Sequence, residues 1–145
     1  MTSVYDRVRH ASAESAARAG ASASGFDGLR GHKYALLVTY RRSGEPVPTP
    51  VWFGMEGADR LYVRTGADAA KVKRVRADPR VLVGPADARG KPLGPLAPGA
   101  GRVVGEEERA HAESVLRRSY GLGRRLYEGL IGDRSPSTYL EVTPA

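Results

Sequence analysis

Residues 64–81, RTGADAAKVKRVRADPRV, concentrate six Lys or Arg against two Asp, where a short apolar run, LYV, gives way to helical periodicity. Cations at this density suit an anionic ligand, a polyanion or simple solvation. Thr65 precedes Asp68 by three residues, the spacing of a capping box, so the strand is expected to end at Arg64 with Thr65 as the helix N-cap beside Gly66. An exposed helix start offers unpaired backbone N–H groups and a positive dipole end, and a glycine there lets an anion approach the backbone. Lys71 and Arg74 fall on one helix face and Lys73 and Arg76 on an adjacent one, with Val72 and Val75 turned inward. On these residues alone a phosphate seat, a nucleic-acid surface and a solvated helix face all stay open.

Other chemistry finds little footing. The chain has no cysteine, hence no thiolate nucleophile, disulfide framework or Cys-ligated metal. His10, His32 and His111 are far apart and match no metal-binding spacing, so no metal site is expected. Ser135 and Ser137 flank Pro136 without the Gly-x-Ser-x-Gly context of a serine hydrolase. Glu106, Glu107 and Glu108 read as the acidic opening of a helix, not as an acid/base pair. No Gly-rich dinucleotide fingerprint or Walker loop occurs. The basic stretch has neither interleaved stacking aromatics nor a helix-turn-helix partner, which argues against nucleic acid. No catalytic side chain is identified. That fits a cofactor enzyme, in which the cofactor carries the reactivity and the protein supplies orientation and electrostatics.

These residues must be positioned by 145 residues with a formal charge of +7, enough for one domain with a substantial core. The charge predicts attraction to polyanions or a phosphorylated cofactor. Without cysteine, a secretory leader or a run of about 20 apolar residues, the chain is expected to be cytoplasmic, neither secreted nor membrane-bound.

Residues 1–25 read as an N-terminal helix or mobile arm, with Val4, Val8 and Ala11 at helical spacing. From Tyr34, YALLVTY, RRSGE, VPTPVWFGM, EGAD and RLYVRT alternate strand and turn. Pro46, Pro48 and Pro50 lack a ladder donor, so the second strand is expected at an edge or strongly bulged. A helix carrying Ala69, Val72 and Val75 closes at Asp78-Pro79. Then follow a strand at 81–85, a turn-rich connection, a strand at 100–105 and a helix opening at Glu106. A second apolar stripe comprises Leu122, Leu126, Tyr127, Leu130 and Ile131, and a short strand spans 139–142. This order predicts an α+β fold, a small and mostly antiparallel barrel with flanking helices.

The ordered series ALLVTYRRSGEPVPTPVWF, LYVRT, AAKVKRVRADPRV, DARG and a late YG resembles the FMN-binding split-barrel superfamily, the pyridoxamine-phosphate-oxidase-like class. Within it, PVWF followed by T-x5-K-x-x-R is most similar to the F420-dependent branch. The resemblance covers residues 26–145. It implies a six-stranded split barrel, a homodimer with the cofactor groove at the interface, and hydride transfer between F420 and a small organic substrate. Thr65 and Lys71 would hold the cofactor phosphate, with Arg64, Lys73 and Arg74 as further candidates, while Thr49, Pro50, Val51 and Trp52 would line the ring system. FMN or FAD in the same fold, or a non-catalytic cofactor, haem or nucleic-acid binding module, are the alternatives.

Overall fold

The computed structural model describes residues 11–120 and 136–145. Val4, Val8, His10, Ser135 and the apolar stripe at 122–131 lie outside the described residues.

Seven strands form one antiparallel sheet: β1 (Tyr34–Tyr40), β2 (Pro46–Trp52), β3 (Gly54–Glu56), β4 (Arg60–Gly66), β5 (Arg80–Ala86), β6 (Ala97–Val103) and β7 (Ser137–Pro144). Their spatial order is β2, β1, β5, β6, β7, β4, β3. The two end strands, β2 and β3, are separated in sequence by Phe53 alone, so the sheet has to curl until its edges meet in one bent segment. The result is a split barrel in an α+β fold. The expected six strands become seven because segment 46–56 bends at Phe53. Its first part pairs with β1, from Tyr34↔Trp52 to Tyr40↔Pro46, and its last part pairs with β4, from Gly54↔Tyr62 to Glu56↔Arg60. Counted as one bent strand, it restores the six-stranded barrel.

β2 holds an unbroken register with β1 despite three prolines. Their i, i+2, i+4 spacing turns all three ring nitrogens away from β1, so no ladder donor is lost; an edge strand tolerates this and a central one does not. YALLVTY is apolar throughout because both faces of β1 are covered. Ala35 and Leu37 join Val51, Phe53, Leu61, Val63, Val83 and Leu140 inside the barrel. Leu36 and Val38 pack outward with Ala13 and Ala17 of helix α1 (Ala11–Ala19).

Helix α2 (Ala70–Ala77) drives Val72 and Val75 into the barrel cluster. Gly101 of β6 lies beneath this contact: a Cβ there would stand 3.4 Å from Val75 Cγ1 and 3.3 Å from Val81 Cγ1, close enough to touch both valines. Helix α3 (Arg109–Tyr120) follows a 3-10 turn over Glu106–Glu108 and packs Ala112, Val115 and Leu116 on Tyr62, Val104 and Tyr139. β6 starts at Ala97, earlier than expected, because Val81, Leu82 and Val83 recruit Ala97, Pro98 and Gly99 into a ladder.

The helix start also differs from expectation. Thr65 is not an N-cap: it lies inside β4, opposite Thr138 of β7, and Gly66 is still paired with Ser137. Helix α2 begins four residues later, with Ala69 at the N-cap position and no side-chain cap bond. A ladder to a strand more than 70 positions away outcompetes the local capping box. A Cβ on Gly66 would meet nothing within 4 Å, so close packing does not require glycine there.

Candidate functional site

The barrel is split where β2 turns away from β4. The β3–β4 register, continued past Gly54↔Tyr62, would set Trp52 against Arg64 and Val51 against Thr65. Instead β2 leaves to pair with β1, and no ladder joins it to β4, although the two strands approach each other. Most of the residues singled out from sequence line this seam.

Strand alternation sorts them onto two faces. Val51 is buried in the barrel cluster, and Thr49, two positions before it, shares that inner face half-buried. Thr65 is also on the inner side, 9% exposed. Lys71, on the first turn of α2, reaches back so that its Nζ donates to Thr65 Oγ1 at 3.5 Å. Pro50, Trp52 and Arg64 belong to the opposite face. Trp52 stands edge-on to Tyr34, ring centroids 5.4 Å apart, and packs on the cluster formed by Tyr62, Tyr139 and α3. Arg64 donates to Glu113 of α3 at 3.2 Å; the same carboxylate accepts from Tyr139 Oη at 2.7 Å and lies 3.3 Å from Arg117 Nε. Burial, reinforced by the bond to Glu113, pushes the Tyr139 phenol up to about 12.

Lys71 and Arg74 share a helix face as expected, yet they diverge. Arg74 Nε donates to Thr39 Oγ1 of β1 at 2.6 Å, away from Thr65. Lys73 is exposed on the helix surface. The structure therefore brings Thr65 and Lys71 together and directs Arg64, Arg74 and Lys73 elsewhere.

Lys71 is an unusual cation. Burial, helped by the neighbouring Arg74 charge, holds its ammonium below the ordinary lysine range. Among the described residues no carboxylate pairs with it. A part-buried cation without a counter-ion among the described residues, beside a hydroxyl, is a fit for a ligand phosphate. No group of residues among those described is arranged to hold a metal. Nor is any helix among them long and apolar enough to cross a membrane.

The profile of the pyridoxamine 5'-phosphate oxidase family matches residues 26–138. The chain belongs to the pyridoxamine 5'-phosphate oxidase family. No curated protein matches the chain. Solved structures share its fold at low identity. The heme storage protein HutZ from Vibrio cholerae aligns with a TM-score of 0.59 and 12% identity over 80% of this chain and 84% of its own. An F420 reductase aligns with a TM-score of 0.52 and 19% identity over 86% and 96%. A FAD-binding protein from Mesorhizobium loti gives 0.54 and 14% over 78% and 79%. At these identities the likeness is one of fold, and the fold serves a heme storage protein as well as a reductase.

Thr65 and Lys71 place a hydroxyl and a cation on the inner side of the seam, and Pro50 and Trp52 place a proline and an aromatic ring on its outer side. Two groups beside it escaped sequence reasoning. Glu113 and Thr138 are ordinary residues in ordinary contexts, and only the pairings of α3 and β7 with β4 bring them to the seam. A separate network sits further along β4. Arg102 forks onto Glu141 at 2.9 and 3.1 Å and also bonds Glu108, while Tyr62 Oη donates to Glu141 at 3.3 Å. It ties β4, β6, β7 and the 3-10 turn together away from Lys71.

Proposed function

We propose that this chain is an oxidoreductase that transfers a hydride between coenzyme F420 and a small organic substrate, acting as a homodimer with its cofactor groove at the subunit interface. The observation that carries the reading is Lys71, a part-buried ammonium at the seam with Thr65 as its partner and no counter-ion among the described residues. Thr65 and Lys71 hold the cofactor phosphate. Thr49, Pro50, Val51 and Trp52 border the ring system, where the edge of β2 offers carbonyl acceptors. When bound, F420 supplies the hydride donor or acceptor. The protein's part is to bind, to orient and to limit water at the seam. The formal charge of +7 suits a cofactor that carries a phosphate and an acidic tail.

FMN or FAD in the same seat is the second reading, favoured by the family match itself. Binding titrations with F420, FMN, FAD and haem separate these readings. The chain has a single tryptophan, so Trp52 emission reports on the seam directly. Quenching of Trp52 by F420 at micromolar concentration, without comparable quenching by FMN or FAD, is the expected result. Tight binding of haem alone would replace an enzyme with a carrier. Sedimentation of the cofactor-bound protein as a monomer would remove the interfacial groove.

A further inference from the structure

Thr138 opens the last strand and stands directly opposite Thr65 in the β4–β7 ladder. Residues opposed in an antiparallel pair project to the same face with Cβ atoms about 4.5–5.5 Å apart, so the two threonine side chains are neighbours on the inner side of the seam. Thr65 has Lys71 as its partner, whereas Thr138 has none among the described residues. It is 2% exposed, and its hydroxyl oxygen is sealed from solvent without a hydrogen bond. Buried hydroxyls are nearly always bonded, because leaving one unpaired forfeits its hydration with nothing in return. The strand pairing offers no reason for the choice: valine has the same shape, better β propensity and no polar atom to bury. An orphaned hydroxyl opposite a threonine whose partner is an ammonium without a counter-ion among the described residues is the arrangement expected of a seat whose missing component is an anion.

We infer that Thr138 is the third group of the phosphate seat, its hydroxyl donating to a phosphate oxygen that Thr65 and Lys71 also contact. This rests on the seat proposed above and adds a strand to it. The Lys71–Thr65 contact, at 3.5 Å, is at the outer limit of a hydrogen bond and is readily exchanged. The lysine tip moves off Thr65 on its flexible stem, the anion enters between the threonines, and the ammonium closes over it. β7 thereby joins β4 and α2 in reading the cofactor.

The test is a set of fluorescence titrations with FMN and riboflavin, and with F420 and its phosphate-free deazaflavin core, on wild type, Thr138→Val, Thr138→Ser and Lys71→Ala. A hydroxyl donating to a charged group predicts that Thr138→Val weakens the phosphorylated ligands by about 10- to 100-fold and leaves the phosphate-free ones unchanged. Thr138→Ser should stay within about threefold of wild type, since it keeps the donor. Without ligand, Thr138→Val should melt a few degrees higher, because the orphan is gone. If Lys71→Ala weakens the phosphorylated ligands and Thr138→Val does not, or if Thr138→Val weakens both ligand types equally, the inference is overturned while the Lys71 seat stands. If neither variant changes binding, or the wild type binds none of the four, the seat itself is overturned with it.

Discussion

Lys71→Met separates a binding lysine from a structural one, because the two roles predict opposite signs for stability. The substitution keeps an unbranched stem of similar length and removes the ammonium. In the ligand-free protein that ammonium is part-buried, feels the charge of a second cation, Arg74, and among the described residues has a 3.5 Å contact to Thr65 Oγ1 as its one bond. Losing so long a hydrogen bond costs about 0.5 kcal/mol, the low end of the usual range. Relieving the burial of an uncompensated charge returns more, so a net gain of about 1 kcal/mol is expected. At roughly 3 °C per kcal/mol for a chain of this size, Tm should rise by about 3 °C. The cofactor sees the reverse, since a charge-assisted bond worth about 1.5–3 kcal/mol disappears and affinity should fall by about 10- to 150-fold. The pH dependence follows the same logic. The folded pKa of Lys71 lies below the unfolded value, so the folded chain sheds this proton first and ligand-free wild type gains stability as pH climbs through that window toward 10.5. The advantage of Lys71→Met should therefore shrink as pH rises. Wild-type affinity for a phosphorylated cofactor should fall over the same window, and that of the variant should stay flat. Thermal melts and titrations at several pH values read both quantities. A Lys71→Met protein destabilised by more than about 1 kcal/mol, with cofactor affinity intact, would refute the assignment and make the lysine a structural prop.

Arg74→Ala should show the complementary pattern. Thr39 is 1% exposed and accepts from Arg74 Nε, so truncation strands a buried hydroxyl and should cost about 1–3 kcal/mol in urea unfolding, with cofactor affinity within about threefold of wild type. Tyr139→Phe tests the Glu113 cluster. The phenol is held up to about 12, above its usual value near 10, so its contribution is complete below pH 10 and is lost as pH rises toward 12. Wild type should lose more stability than Tyr139→Phe between pH 9 and pH 11.5, and parallel urea midpoints across that range would show the phenol to be inert.

How far the sequence reaches depends on how local the deciding interaction is. β1 and β4 announce themselves because their apolar runs and bounding turns lie within one short window, and β2 because three prolines at alternate positions are compatible with an edge alone. Thr65 and Lys71 were named together through the family resemblance, on a helix expected to start at Thr65; the fold instead brings Lys71, on the first turn of α2, back to Thr65 in β4. The helix start was misplaced because the capping box at Thr65 and Asp68 is a local signal, overruled by the ladder from Thr65 to Thr138. Arg74 was grouped with Lys71 by helical spacing and Arg64 through the family resemblance, yet Glu113 lies 49 positions from Arg64 and Thr39 lies 35 from Arg74. A long cation takes whichever buried acceptor the fold brings within reach, and that choice is settled by β1 and α3.

The same reasoning orders the cations of the opening stretch by function. Each Lys or Arg in 64–81 had equal standing on composition, and the fold then assigned partners. Glu113 took Arg64, Thr39 took Arg74, and Asp78 took Arg80 at 3.2 Å, while Lys73 and Arg76 stayed in solvent. Lys71 is both partly withdrawn from water and without an acid among the described residues to offset it. Burial without compensation is costly, and a fold that bound nothing there would have a cheaper solution in a methionine or leucine at the same position. On the proposed reading, this charge marks the end of the seam where an anion belongs. On that reading the basic helix carries one ligand-facing lysine among structural and solvated neighbours, a distribution that a diffuse polyanion-binding surface would not need.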